Sequence, residues 1–352
     1  MKRLVYFILV TLFVASISLL SCKKDEPSTT VVKTGKIAGY VYSKKGTTLG
    51  AVKVFIQDNP SYSTYSNKDG FFTLTAPLGT HKLVIQSGNG HIFMSVINVT
   101  VIENQTLTLP SQQTILNQVG NLAYIVGYYD KIQTIIIDSL GYTATQLQIS
   151  ALDTFSNISG FQAIFLNCGK SGMLDSLKYA NLSNFVSNCG SIYASDWAVE
   201  YLCGDGNVKS FSQRTKDYKA NLSFKQTTTC TPKIGGFIND SLLCTMKTGQ
   251  SGFIDSIDII SPAIQTLLGK TKMTIHYDLG AWEVIQQLGP QFTVLLQDNN
   301  LATNYGPLAV LLHYGSNCTQ GGNILYTTFH NEPQTGVSPD VQKILQYFIL
   351  NL

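Results

Sequence analysis

The segment Asn323–Pro333, NILYTTFHNEP, is an apolar run that ends in a His, an Asn and a Glu. An imidazole two residues from a carboxylate is the base-and-orienter half of a nucleophilic triad: the His takes a proton and the carboxylate fixes its tautomer. Whether His330 and Glu332 do chemistry depends on a nucleophile. Ser195, in IYASDW, stands where a strand gives way to a helix, and with His330 and Glu332 it completes the candidate set for a serine hydrolase of a small amide or ester. Two features oppose that role. The flanking glycines of a G-x-S-x-G elbow are missing, and Ser195-Asp196 directly before WAVEYL makes a good helix N-cap, with either side chain bonding first-turn amides. Capping is therefore the expectation for Ser195.

The other candidates are pocket residues. His276, His313 and His330 end three predicted strands and, with Asp196, could converge. No His-x-His or His-x-x-x-His spacing supports a metal, so neither metal nor cofactor is expected. Asp196, Trp197, His276 and His313 are expected to line a crevice at the carboxyl ends of parallel strands.

The elements that must position these residues fall into two regions. Residues 35–110 alternate strand-like runs (KIAGYVY, AVKVFIQ, FFTLTAP, KLVIQS, SVINVTVI) with Gly, Asn, Asp and Pro, which predicts an all-β sandwich. Asp69-Gly70 supplies a tight turn, after which Phe72 and Leu74 share one face. Residues 111–120 are polar and read as a linker. From 121 to 352 the rhythm changes to an α/β alternation, with a parallel sheet covered on both faces. Its strands are LAYIVGYYD, FQAIFLNCG, SIYAS, KMTIHYD, FTVLLQD, LAVLLHYG and NILYTTFH. Its predicted helices are KIQTIIIDSLG, DSLKYANLSNFVSNCG, DWAVEYL, SPAIQTLL and the closing SPDVQKILQYFILNL, capped by Ser338 with Pro339 at the first helical position. Residues from about 204 to 255 break the alternation and read as an insertion.

The first residues bear on location. Lys2 and Arg3 precede an apolar run, Leu4 to Leu20, shorter than the ~20 residues of a membrane span, and this reads as a signal peptide over residues 1–21. Without Lys2 and Arg3 the 24 basic residues fall to 22 against 21 acidic ones. So even a balance gives no basic face for nucleic acid. Charged residues are 13% of the chain, about half the usual share, which suits an exported protein. Six cysteines follow residue 160: Cys168, Cys189, Cys203, Cys230, Cys244 and Cys318. In an oxidising compartment they permit up to three disulfides; buried free thiols are the alternative.

Four sets of residues resemble known motifs or families. Leu19-Leu20-Ser21-Cys22 resembles a bacterial lipobox, which implies acylation of Cys22, anchoring to the outer membrane, and a tether over residues 22–34; several acyl chains hold a protein on a membrane almost irreversibly. Gly39–Val41, Gly50-Ala51, Lys53-Val54, Asp69-Gly70-Phe71-Phe72 and Pro77-Leu78-Gly79 resemble the carboxypeptidase regulatory-like (transthyretin-like, prealbumin-like) domain, which implies a spacer or contact module without peptidase activity. FQAIFLNCG, FVSNCGSIYASDWAVEYL and GGNILYTTFHNEP resemble the flavodoxin-like class I glutamine amidotransferase fold and its trehalose-utilisation-like branch. That resemblance makes His330 the base and Glu332 its orienter, yet the elbow Cys of the family is absent from IYASDW. The expectation is a multidomain, membrane-anchored protein that binds a glycan or protein partner without turnover. The triplets at Asp138, Asp175, Asp240 and Asp255 (DSL, DSL, DSL, DSI) resemble O-glycosylation sites of some Gram-negative surface proteins, and Asp-Ser is also common at helix starts.

Overall fold

In the strand Phe71–Pro77, Phe72, Leu74 and Ala76 are buried while Thr73 and Thr75 are exposed, the alternation that a half-buried strand requires. The structure, a computed structural model, describes residues 32–204, 230, 233, 235–331 and 338–352. Cys22, Glu332 and most of the expected insertion lie outside the described residues.

Seven strands come first: β1 (Thr34–Tyr40), β2 (Lys53–Ile56), β3 (Asn59–Tyr65), β4 (Phe71–Pro77), β5 (Gly79–Ser87), β6 (Phe93–Val101) and β7 (Thr106–Thr108). They form two sheets, ordered β4-β1-β7 and β3-β2-β5-β6. Gly70 has φ 85°, so the expected turn is built on a left-handed residue. The Asn67 side chain accepts from the amides of Asp69 and Phe71. Strand β3 contains Pro60, which hides it from a reading by composition; it is tolerated because β3 is a sheet edge.

The second region has β8 (Leu122–Ile125), β9 (Thr145–Leu147), β10 (Ala163–Leu166), β11 (Ser191–Ser195), β12 (Leu243–Lys247), β13 (Gly252–Ile259), β14 (Lys272–Tyr277), β15 (Glu283–Leu288), β16 (Phe292–Asp298), β17 (Gly306–His313) and β18 (Asn323–Thr327). Nine of them make one sheet, ordered β14-β13-β16-β17-β18-β11-β10-β8-β9, and β12 pairs with β15 beside it. The sheet is mixed where a parallel sheet was expected. From β9 to β18 every pair is parallel, but from β18 to β14 every pair is antiparallel. Near-continuous apolar runs such as LAVLL mark a strand buried on both faces and do not encode its direction. Strand β13, at the end of the expected insertion, belongs to this sheet.

Three longer helices were legible: α1 (Ser176–Ser187), α2 (Pro262–Leu268) and α3 (Pro339–Asn351). Asp175 caps α1 by accepting from the amides of Leu177 and Lys178, so this Asp-Ser pair has a helix-start role. Ser338 caps α3 through Val341 N at 3.3 Å, and Val341, Ile344, Leu345, Phe348 and Ile349 are all buried. The expected helix KIQTIIIDSLG is instead a short helical turn followed by a π turn, with Ile132, Ile135, Ile136 and Leu140 buried. Among the described residues no helix is long and apolar enough to cross a membrane.

Alternate residues of the central strands feed two cores. Ala123, Ile125, Ile164, Leu166, Ile192 and Ala194 meet Leu182, Phe185 and Val186 of α1 on one face. Tyr124, Phe165, Tyr193 and Leu325 join α3 on the other, and that second core continues without a break into Ile37, Val54, Phe72, Ile85 and Phe93 of the first seven strands. Thr34–Leu352 accordingly form one compact unit. The stretch 111–120 is laid down with it: Leu116 is fully buried and its carbonyl accepts from Tyr142 Oη at 2.8 Å.

Among the described residues two disulfides are present, Cys189–Cys318 and Cys230–Cys244, while Cys168 and Cys203 are free and buried.

Candidate functional site

The parallel half of the sheet delivers four loops to one edge. Asp130 follows β8, Asn167-Cys168 follow β10, Asp196 follows β11, and Phe329-His330-Asn331 follow β18. Asn167, fully buried, fixes the first two: its amide donates to the Ile125 carbonyl at 2.9 Å and its oxygen accepts from Ile132 N at 3.0 Å. The β8 loop presses on Cys168 so closely that a Cβ on Gly127 would meet the Cys168 carbonyl at 2.1 Å. Asn331 ties the last loop back by donating to Lys131 O and Thr134 Oγ1, each at 3.0 Å.

Ser195 does not cap the following helix. It is the last residue of β11, fully buried, and its Oγ donates to Asp130 Oδ2. The other oxygen of Asp130 accepts from Asn331 N at 3.1 Å. The capping expectation fails because this hydroxyl is turned toward the buried Asp130 carboxylate, to which it donates, and no first-turn amide donates to it. The bend itself falls one residue later than the sequence suggested. Asp196 has φ 45°, a left-handed conformation that costs a non-glycine residue of order 1–2 kcal/mol. It is held by Tyr326 Oη, which donates to the Asp196 carbonyl at 3.2 Å, and by Glu283 N, which donates to Asp196 Oδ1 at 2.7 Å.

Around Asp196 Oδ2 two further potential ligand or reactive atoms gather. Cys168 Sγ donates to it at 3.5 Å and His330 Nε2 lies 3.9 Å away; all three atoms lie within 4.8 Å of one another. Burial pushes the Asp196 carboxyl up to about 6, opposed by His330 and the Glu283 amide. Burial likewise raises Asp130, against the pull of His330 and the Ser195 hydroxyl. The Cys168 thiol is pushed strongly up by burial and then by the Asp196 carboxylate. That is the reverse of the electropositive setting that activates a cysteine.

Asp196 and His330 open into a cleft of about 270 Å³ whose other lining residues include Tyr129, Trp197, Tyr277 and Trp282. Trp197 Nε1 donates to Ala281 O at 2.9 Å, its ring meets Tyr129 edge-on, and Lys247 Nζ sits 3.9 Å over it. Trp282 stacks on Tyr277 at 4.1 Å between centroids. His276 joins this wall, paired with Asp278 at 2.9 Å and stacked on the exposed ring of Phe253. His313 does not. Strand β17 runs antiparallel to β18, placing His313 opposite Asn323 at the far edge of the sheet, where the two side chains bond at 2.9 Å.

Of the expected residues, then, the fold brings Asp196, Trp197, His276 and His330 together, turns Ser195 toward Asp130, and sends His313 away. Sequence reasoning missed Asp130, Cys168 and Trp282. Each lies beyond a strand end in a loop without a motif; the one legible signal was that Cys168 ends the apolar run FQAIFLNC on the same edge as SIYASD.

No protein-family model matches the chain, and no curated protein matches it. Solved structures similar to it include a GMP synthase subunit from Thermoplasma acidophilum, at 10% identity and TM-score 0.37, covering 67% of this chain and 96% of that one. A ThuA-like protein from Bacteroides uniformis has 10% identity and TM-score 0.38, covering 65% and 89%. A glutamine amidotransferase from Thermotoga maritima has 9% identity and TM-score 0.29, covering 60% and 76%. Scores this low carry no argument about family or activity.

Proposed function

We propose that this chain is an exported protein, lipid-anchored through Cys22 to the outer membrane, whose aromatic cleft binds a glycan without turning it over. In this reading residues 35–110 are a prealbumin-like spacer and residues 121–352 an amidotransferase-like domain that has lost its nucleophile. The observation that carries it is the fate of Ser195: its hydroxyl is fully buried and given to Asp130, so it offers nothing to a substrate. What faces the cleft is a carboxyl, an imidazole and large rings, a set that hydrogen-bonds hydroxyls and stacks on the apolar face of a sugar. Cys168, the remaining candidate nucleophile, is 1% exposed and faces a carboxylate. Two disulfides support an oxidising compartment.

The serine-hydrolase reading through Ser195, His330 and Glu332 loses its support with the Ser195 hydroxyl turned to Asp130. Both tryptophans of the chain, Trp197 and Trp282, line the cleft, so intrinsic fluorescence reports on it alone. Titrating the full chain in detergent with a panel of neutral and amino-sugar oligosaccharides should give a saturable change for at least one, abolished by Trp197→Ala. Labelling of Ser195 by a fluorophosphonate, or of Cys168 by iodoacetamide, that His330→Ala removes would overturn the binding assignment.

A further inference from the structure

We infer that Cys168 Sγ, Asp196 Oδ2 and His330 Nε2 form a three-ligand site for a zinc-class divalent ion at the floor of the cleft, with the fourth position turned toward the aromatic rings. The site stands whatever fills the cleft beyond it.

A tetrahedral ion at about 2.3 Å from a thiolate and about 2.0 Å from an imidazole nitrogen and a carboxylate oxygen sets sulfur and oxygen about 3.5 Å apart, and nitrogen and oxygen about 3.3 Å apart. Cys168 Sγ and Asp196 Oδ2 are 3.5 Å apart, and His330 Nε2 is 3.9 Å from the same oxygen, so a small swing of one imidazole closes the set. The donors are mixed sulfur, nitrogen and oxygen, which suits zinc and not magnesium or calcium.

Support comes from the surroundings. Asp196 Oδ1 is already occupied by the Glu283 amide at 2.7 Å, leaving Oδ2 as a single, oriented donor. Cys168, Asp196 and His330 stand at the ends of three hydrogen-bonded strands, β10, β11 and β18, a rigid mount for a ligand set. Two carboxyl groups, Asp130 and Asp196, lie almost fully buried here, and among the described residues no Lys or Arg pairs with either; His330 Nε2 lies 3.9 Å from Asp196 Oδ2. A cation supplies the missing charge. On binding, the Cys168 thiol passes its proton to solvent, so the sulfur ligates as thiolate.

The ligands come from positions 168, 196 and 330, which is why no local spacing announces them. The test uses the untagged full chain in detergent, stripped with chelator and then given zinc or cobalt alone. We expect one equivalent of zinc retained through dialysis, a rise in thermal midpoint with zinc, and a thiolate-to-cobalt charge-transfer band. Cys168→Ser should remove the band, and Asp196→Asn and His330→Ala should each weaken zinc by about a hundredfold or more, since even outer partners of a metal are worth about 10–100-fold. His313→Gln, at the far edge, should change nothing. Should Cys168→Ser fail to fold, the shape-preserving Asp196→Asn decides. Absence of stoichiometric zinc and of the band in the unaltered chain, or binding indifferent to both Asp196→Asn and His330→Ala, would overturn the site, whereas loss of glycan binding alone would leave it intact.

Discussion

The bridge between Cys189 and Cys318 spans 129 residues of sequence. Cys189 lies in the turn between α1 and β11, and Cys318 in the turn between β17 and β18, so the bond staples the entries of the two strands that carry Asp196 and His330. Closing a loop of that length removes denatured-state entropy equivalent to about 5 kcal/mol in the chain-entropy treatment, against about 3 kcal/mol for the 14-residue separation of Cys230–Cys244. We expect Cys189→Ala with Cys318→Ala to lose about 4–5 kcal/mol in urea unfolding without reductant, and the second pair of substitutions to lose about 2 kcal/mol less. Cys189 also has φ 70°, a conformation that alanine shares at the same cost. Replacing Cys189 by Gly in the double variant should therefore recover about 1 kcal/mol. Because the bridge is at the edge opposite the cleft, tryptophan fluorescence of the folded variant should match that of the unaltered chain. A loss below about 1 kcal/mol, or equal losses for the two bridges, would show that loop length does not govern the stabilisation here.

Two further outcomes concern the cleft itself. With chelator present, Asp196→Asn should stabilise the protein at neutral pH by up to about 3 kcal/mol, because a buried carboxyl held at about 6 against its ordinary 3.8 penalises the folded state once ionised; the stability this group contributes is complete below pH 3.8 and lost as pH rises through about 6, so the gain should vanish near pH 4 in parallel urea titrations. Gly249→Ala should destabilise by about 2 kcal/mol or more and shift tryptophan emission, since a Cβ there would lie 2.1 Å from the Trp282 ring; an unshifted emission would mean that this ring is not seated as described.

Much of the scaffold could be read from residue order. Ser338-Pro339 and the spacing of Val341, Ile344, Leu345, Phe348 and Ile349 define α3 unaided, because capping and a 3.6-residue stripe are local properties. Strand direction could not be read, since LAVLL and AIFL are buried on both faces whichever way they run. The same blindness misplaced His313, whose edge depends on the direction of β17 alone. At the bend, Asp196 lies on the cleft while Ser195, expected as a cap, turns to Asp130. The partner that takes the Ser195 hydroxyl is Asp130, contributed from 65 residues away, which no local pattern announces. Cys168 carried no motif, and only three-dimensional neighbours reveal its company.

The change of direction at β18 leaves the cleft with walls of different origin. The polar floor hangs on loops that follow parallel strands and is locked by Asn167, Asn331 and Tyr326. The facing wall, Tyr277 to Trp282, is the short connection between β14 and β15 at the end of the antiparallel half. Exchanging that connection for one of other composition would redraw what fits the opening while leaving the floor in place, so divergence or engineering of recognition in this scaffold has one natural address.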